Sequence, residues 1–306
     1  MKLNSKSFLF LFIRVLLGTI FILSAIFKLI SVDTFELYIF SLKWFSFNVA
    51  AVLARLVISV ELLLGILLIT NIKYNIVWRT TVTLLTLFSL FLFYQVIRGE
   101  KENCHCFGEM LRLSPLESLI KNIIMLGLLF LIRKEHSYQL KYRSNILLFS
   151  FVFCFTLPLV ISRPDFLINW EDPSGYTMET ISARIRDAET LNNLKVGENK
   201  KMLCMFSVTC EYCIHAANKI SLISNKNDLS NNIIYVFTGD VNLLNNFWEE
   251  SNSEIFTYDF LPMKQFFSIA GPSVPSIYLL ENGKVVKQYN YRSINEKEIQ
   301  DFFETE

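Results

Sequence analysis

The chain has 306 residues, 52% of them hydrophobic and 19% charged, with a mean hydropathy of +0.39 and a formal net charge of +1. That much apolar content excludes an ordinary soluble protein and calls for membrane spans. The near-neutral charge balance gives no sign of a polyanionic partner such as nucleic acid.

Residues 8–30 form an apolar stretch long enough to cross the hydrocarbon core. It is longer than a secretory h-region and lacks a small-residue cleavage site, so it reads as a retained anchor. Four further stretches follow, at about 49–70, 76–97, 116–132 and 146–161, which makes five expected spans. Lys2 and Lys6 precede the first span, Lys73 and Arg79 occupy the second connection, and Arg133, Lys134, Lys141 and Arg143 the fourth. The positive-inside rule places these on the cytoplasmic side. The first and third connections, 31–48 and 98–115, then face outward, where basic residues are mixed with Asp33, Glu36, Glu100, Glu102 and Glu109. An odd span count puts everything after Ser162 outside as well. The expectation is a multi-pass protein of a bacterial inner membrane, with its N-terminus cytoplasmic and its C-terminal part periplasmic.

Charge inside hydrocarbon is costly and is usually paired. Counting helical rise from the two ends places Arg14 in the first span and Glu61 in the second at similar depth. Sequence therefore predicts an Arg14–Glu61 pair across those helices. Arg55, six residues from Glu61 on one helix, is about 120° away around the axis and is a poorer partner. The alternative is that Arg14 and Arg55 snorkel to opposite interfaces, an escape that Glu61 lacks.

The third connection carries Asn103-Cys104-His105-Cys106-Phe107-Gly108, followed by Ser114-Pro115-Leu116-Glu117. The latter is a helix start, with Ser114 as N-cap, Pro115 at the first helical position and Glu117 completing a capping box. The cysteines thus lie near the outer end of the fourth span.

This half resembles the DoxX-like group, and more closely the methylamine-utilisation MauE family. The resemblance is carried by Arg14-x-x-x-Gly18, Lys28, Phe35, Tyr38, Glu61, Gly65 and Cys-x-Cys-Phe-Gly at 104–108. It covers about residues 8–135 and implies a four-helix membrane domain, bounded here as 1–135; the last apolar stretch adds a fifth helix over 136–162. It also implies a part in oxidative maturation of exported proteins. The layout is similar to vitamin K epoxide reductase, which suggests a quinone as electron partner. The second cysteine pair usual in such bundles is absent here, and a fused soluble domain is a candidate to supply it.

Apolar content falls after Ser162, at Arg163-Pro164-Asp165 and the Asp172-Pro173-Ser174-Gly175 turn. Residues 163–193 read as a linker with a short helical piece at 178–190. From 194 to 306 the expected order is strand 202–206, helix 211–224, strand 233–238, helix 243–251, strand 276–280, strand 285–289 and helix 296–303. Asn282-Gly283 signals a two-residue hairpin between the last strands. Between the first strand and the first helix stands Cys210-Glu211-Tyr212-Cys213. Two thiols at a strand-to-helix turn suit redox chemistry, because a helix N-terminus stabilises a thiolate. Alone, the pair also suits a zinc half-site or a structural disulfide. His215 falls two residues beyond Cys213, which disfavours haem attachment.

With Gly271-Pro272-Ser273-Val274-Pro275 and the hairpin downstream, this segment resembles the thioredoxin family. The resemblance implies that Cys210 attacks, Cys213 resolves and Pro275 holds a partner's backbone. Thr209 stands at the family's usual tryptophan, Glu211-Tyr212 at its Gly-Pro, and Cys204 at its buried acid. The expected architecture is therefore an α-helical membrane bundle followed by an α/β thioredoxin-like domain.

The predicted activity is thiol–disulfide exchange. It passes electrons between exported protein thiols, Cys210/Cys213, Cys104/Cys106 and a lipid-phase carrier, a quinone, with no covalent cofactor and no metal. The rival is a handler of Cu(I) or zinc in which Cys104, His105 and Cys106 bind the ion while the soluble domain keeps them reduced. A third reading is a membrane-anchored scaffold that only binds partners. Cys154 and Cys204 read as small buried apolar residues.

Overall fold

The computed structural model describes residues 5–99, 104–111, 113–133, 143–167 and 176–305. The expectations placed on Lys2, Glu100, Glu102, Asn103, Lys134, Lys141 and the 172–175 turn lie outside these residues, as do the side chains of Lys6 and Glu109. The chain forms two compact units, one of Met1–Ile39 with Asn48–Pro164, the other of Phe40–Phe47 with Asp165–Glu306.

The first unit is helical: α1 (Ser5–Ile30), α2 (Val32–Ser41), α3 (Phe47–Thr70), α4 (Tyr74–Ile97), the short strand β1 (Cys106–Glu109), α5 (Pro115–Leu131) and α6 (Arg143–Ile161). Among the described residues, four helical stretches are long and apolar enough to cross a membrane: Phe8–Ile30, Phe47–Thr70, Tyr74–Ile97 and Arg143–Ile161. This is a multi-pass membrane protein. The remaining expected span, α5, has 17 residues, at the short end of the range a span takes, and is not among these four. Its N-terminus carries the anticipated capping box of Ser114 and Glu117. Its other end packs on α4, where Tyr74 and Trp78 donate to the carbonyls of Ile132 and Leu129 at 2.7 and 2.8 Å.

α1 and α3 cross where two glycines meet. A Cβ on Gly18 would stand 2.8 Å from the Gly65 carbonyl oxygen, and one on Gly65 would stand 2.8 Å from that of Gly18. Small residues at such a crossing allow the backbones to touch, which is how helices associate where lipid removes the hydrophobic drive. Gly18 faces Ile69 while Gly65 faces Ile22, so the helices run antiparallel.

This register corrects the expected Arg14–Glu61 pair. Each residue lies one turn from its glycine, on opposite sides of the crossing, so they are about 12 Å apart along the axes. Glu61 pairs instead with Lys28, whose Nζ lies 2.6 and 2.7 Å from the two carboxylate oxygens. Arg55 pairs with Glu36 and donates to the Ser162 carbonyl at 2.8 Å. Arg14 and Arg55 are both buried within the protein, at 2% and 4% exposure, so neither snorkels. Counting depth from span ends missed this because the crossing point, not the end of the apolar run, sets which residues are level.

The second unit holds α7 (Met178–Asp187), α8 (Glu189–Asn193), β2 (Lys200–Ser207), α9 (Glu211–Asn227), β3 (Ile233–Thr238), α10 (Leu244–Ser251), β4 (Thr257–Phe260), α11 (Met263–Ala270), β5 (Ser276–Glu281), β6 (Lys284–Tyr289) and α12 (Glu296–Glu304). The sheet order is β4-β3-β2-β5-β6. β2 runs parallel to β3 and antiparallel to β5, β3 parallel to β4, and β5 antiparallel to β6. Asn282 and Gly283, with φ of 50° and 76°, form the β5–β6 turn as their types demand.

Helices cover both faces, so β2 is buried along its middle and reads as a continuous apolar run. Leu203 and Met205 face a core shared with Ile181, Ile185, Phe266 and Ile269. Phe206 joins an aromatic cluster with Tyr235, Phe237 and Phe247. Ile181, Ile185, Ala188 and Leu191 are core residues, which corrects the reading of 163–193 as a linker: α7 and α8 belong to the domain. Residues Phe40–Phe47 also fold with this unit. The Phe47 amide donates to Glu296 at 3.0 Å, and the Lys226 ammonium donates to the same carboxylate at 2.7 Å.

Candidate functional site

β2 ends in a turn that places Cys210 as the N-cap of α9. Its Sγ accepts from the Cys213 amide at 3.3 Å, the bond a serine hydroxyl would accept at this position. The thiol also lies 3.9 Å from the Val274 carbonyl, and the following Val274–Pro275 peptide is cis. Cys210, Cys213 and Pro275 thus meet at one place, as the thioredoxin resemblance implies.

The two sulfurs differ in environment. Cys210 is partly exposed, whereas Cys213 is fully buried beneath it. The Cys213 thiol, followed by backbone amides of the first helical turn, holds the Cys210 thiol down at about 7, against the opposing effects of burial and of Glu211. Burial, then the neighbouring Cys210 sulfur, pushes Cys213 far up. At neutral pH the outer sulfur is therefore substantially ionised and the inner one keeps its proton. Beside the pair, exposed Tyr212 packs on Tyr291 with ring centroids 5.6 Å apart, and His215 on the same ring at 6.0 Å. Cys204 lies wholly buried on β2, and its thiol is raised by burial.

The second centre is the hairpin at Cys104–Gly108. His105 and Gly108 both adopt left-handed backbone, with φ of 52° and 57°. The Gly108 amide donates to the His105 carbonyl at 3.1 Å, closing the turn. A Cβ on Gly108 would overlap the Ser31 hydroxyl and stand 2.6 Å from the Phe27 carbonyl oxygen, so the glycine lets the hairpin lie against the end of α1.

Cys104 is buried and its Sγ lies 2.9 Å from the Ser118 hydroxyl, while Cys106 is partly exposed. The Cys106 thiol and Ser118 hold Cys104 down at about 6. The Cys104 sulfur and burial push Cys106 well above the usual thiol range.

Under the hairpin lies the Lys28–Glu61 pair. Ser24 donates to the Cys106 carbonyl at 2.9 Å and accepts from Lys28 at 3.0 Å, linking the ion pair to the cysteine backbone. The Lys121 ammonium sits 4.4 Å above the Phe107 ring. The His105 ring lies against Tyr38, with centroids 4.8 Å apart. Among the described residues, no group of three or more His, Cys, Asp or Glu side chains is gathered to hold a metal ion.

Sequence reasoning missed Ser24, Ser118 and Lys121. Ser118 and Lys121 recur at helical spacing on the inner face of α5, but which face turns inward was not readable. Lys28, quoted only as part of the resemblance, proves to be the partner of Glu61.

Residues 6–133 match the family described as methylamine utilisation protein MauE. Over 95% of its length the chain is 27% identical to Protein TlpB of Flavobacterium psychrophilum, spanning 93% of that relative. A secreted Mycobacterium tuberculosis disulfide oxidoreductase homologous to E. coli DsbE is similar over 34% of this chain and 79% of its own, at 15% identity and a TM-score of 0.28. The chain therefore carries a MauE membrane domain. The thioredoxin-like fold of its C-terminal unit is carried by the sheet order, the cysteine pair at the start of α9 and Pro275.

Proposed function

We propose that the protein is a membrane-bound thiol–disulfide oxidoreductase. It exchanges electrons among exported protein thiols, the Cys210/Cys213 pair, the Cys104/Cys106 pair and a lipid-phase quinone. The observation that carries this reading is the asymmetry at the start of α9: a partly exposed sulfur held at about 7 above a buried one that retains its proton. That is the arrangement a nucleophile and its resolving thiol require.

In the first step the Cys210 thiolate attacks a disulfide sulfur of a partner. The partner's S–S bond breaks, a mixed disulfide forms, and the displaced sulfur leaves as a thiolate. Cys213 then loses its proton to that departing thiolate or to water and attacks Cys210. The Cys210–Cys213 disulfide closes and the partner is released fully reduced. With the pair oxidised, the same two steps run backwards and oxidise a partner's thiols.

The Cys104/Cys106 pair is the second station. Aromatic rings of Phe27, Phe107 and Tyr38 with the polar groups of Ser24 and Lys121 around it suit a flat, polar-edged ring such as a quinone. When bound, a quinone would accept two electrons and two protons. The orientation belongs to the same proposal: N-terminus cytoplasmic, both cysteine pairs on the outer side, in a bacterial inner membrane.

Trapping tests the relay. In the Cys213→Ser protein, mixed disulfides collected after acid quench should join Cys210 to Cys104 or Cys106 as well as to exported proteins. If exported proteins alone are joined to Cys210, the membrane pair has no place in the relay. If no adduct forms, the oxidoreductase reading fails.

A further inference from the structure

The two sulfurs of the membrane domain occupy unlike positions, and this assigns them different tasks. Cys104 is buried at 4% exposure, with its Sγ 2.9 Å from the Ser118 hydroxyl. Cys106 is partly exposed, and its backbone is pinned by Ser24. The left-handed turn at His105 places the two cysteines so that each sulfur shifts the ionisation of the other. α5 presents Ser118 to Cys104 and, three residues on, Lys121 above the Phe107 ring.

The charged groups facing the pair are Lys121 from α5, Lys28 from α1 and Glu61 from α3. Lys28 and Glu61 are paired at 2.6 Å and largely cancel, which leaves the Lys121 cation to favour one anion at the cysteines.

We infer that Cys106 is the sulfur at which the Cys104–Cys106 disulfide is opened, and that Cys104 is the sulfur that leaves. The inference rests on the proposed exchange activity and adds to it the polarity of the second pair. An incoming thiolate attacks the Sγ of Cys106, the less buried of the two residues, and a new S–S bond forms there. The Cys104–Cys106 bond breaks, and its electron pair departs on Cys104. That thiolate is received by the Ser118 hydroxyl and the Lys121 charge, so no proton is needed at this step. A lower thiol pKa makes a faster leaving group, and with Cys106 held in a disulfide and unable to donate, the Ser118 hydroxyl, the Cys106 backbone amide and the Lys121 charge are what favour the Cys104 thiolate against its burial. When a second thiolate of the partner resolves the mixed disulfide, Cys106 departs and takes up the proton which that thiol released.

The test uses the full chain in detergent with Cys210→Ser and Cys213→Ser, the Cys104–Cys106 disulfide formed, and glutathione as the attacking thiol. After a short reaction, acid quench and alkylation, peptide mass spectrometry locates each group. Glutathione should sit on Cys106 and the alkyl label on Cys104, by at least tenfold over the reverse. An even split, the reverse pattern, or no glutathione adduct overturns the assignment. Ser118→Ala and Lys121→Met should each reduce the preference severalfold, and Lys121→Arg should restore it. An unchanged preference in both would remove these residues as the source of the asymmetry and overturn their positioning role. Should glutathione choose Cys106 while Cys210 never joins the pair, the relay falls and the assignment stands.

Discussion

At the scale of single residues, Cys210 shows how one helix terminus converts a thiol into a nucleophile. Its ordinary value near 9 falls to about 7, chiefly through the Cys213 thiol and then the amides of the first turn. The iodoacetamide reaction rate of Cys210 should therefore rise through a midpoint near pH 7. Cys213→Ala removes the largest cause and should carry the midpoint upward. Cys213→Ser, which keeps a hydroxyl donor, should move it less. The same ionisation has a sign in stability. Between about 7 and 9 the unfolded chain binds the proton that folded Cys210 has shed, so the reduced protein gains stability as pH rises and loses it as pH falls through 7. Urea titrations of the reduced protein at pH 6.5 and 8.5 would show the order. Gly108 is the other decisive residue. Gly108→Ala places a Cβ in a left-handed position against the Phe27 carbonyl and should cost at least about 1–2 kcal/mol before any clash is counted. The loss would be read as a lowered melting temperature in detergent.

At the scale of elements, the α1–α3 crossing governs which charges meet. Glu61→Gln leaves the Lys28 ammonium buried without its carboxylate and should destabilise the membrane domain by about 3–5 kcal/mol. Exchanging the two residues should recover most of that loss in chemical denaturation, whereas exchanging Arg14 with Glu61 should recover none. The identities of these groups were legible in the sequence, but their partnership was not. It follows from the Gly18–Gly65 contact, a long-range fact that no periodicity encodes. The strand–cysteine–helix unit was legible because the signals of β2, the Cys-x-x-Cys spacing and the start of α9 are all local. The same holds for the Ser114–Glu117 capping box and the Asn282–Gly283 hairpin. β4 went unread because it is a four-residue edge strand with half-exposed faces and little alternation to detect. α7 was recognised as helical, yet its place in the core depends on β6, about a hundred residues on, where the Val285 amide donates to the Ser182 hydroxyl at 2.9 Å.

At the scale of the whole molecule, the proposed orientation puts both partly exposed sulfurs on one side of the bilayer. An impermeant maleimide added to intact spheroplasts should label Cys106 and Cys210 alike after reduction. Labelling of one pair only, with the other revealed by permeabilisation, would defeat the relay. The C-terminal unit is discontinuous in sequence, since it takes in Phe40–Phe47. Lys219 lies 3.6 Å from the centre of the Phe47 ring, so Phe47→Ala should weaken this unit by about 2 kcal/mol, read by limited proteolysis. The Phe47 amide finds its acceptor in Glu296, 249 residues later. At a synthesis rate of about 5–20 residues per second, the ribosome supplies the second half of that contact about 12–50 s after the first. The C-terminal unit therefore cannot be completed from residues 165–306 alone. Residues 40–47 are made before α3 to α6 are complete, and α12 reaches them only after the whole sheet has been translated.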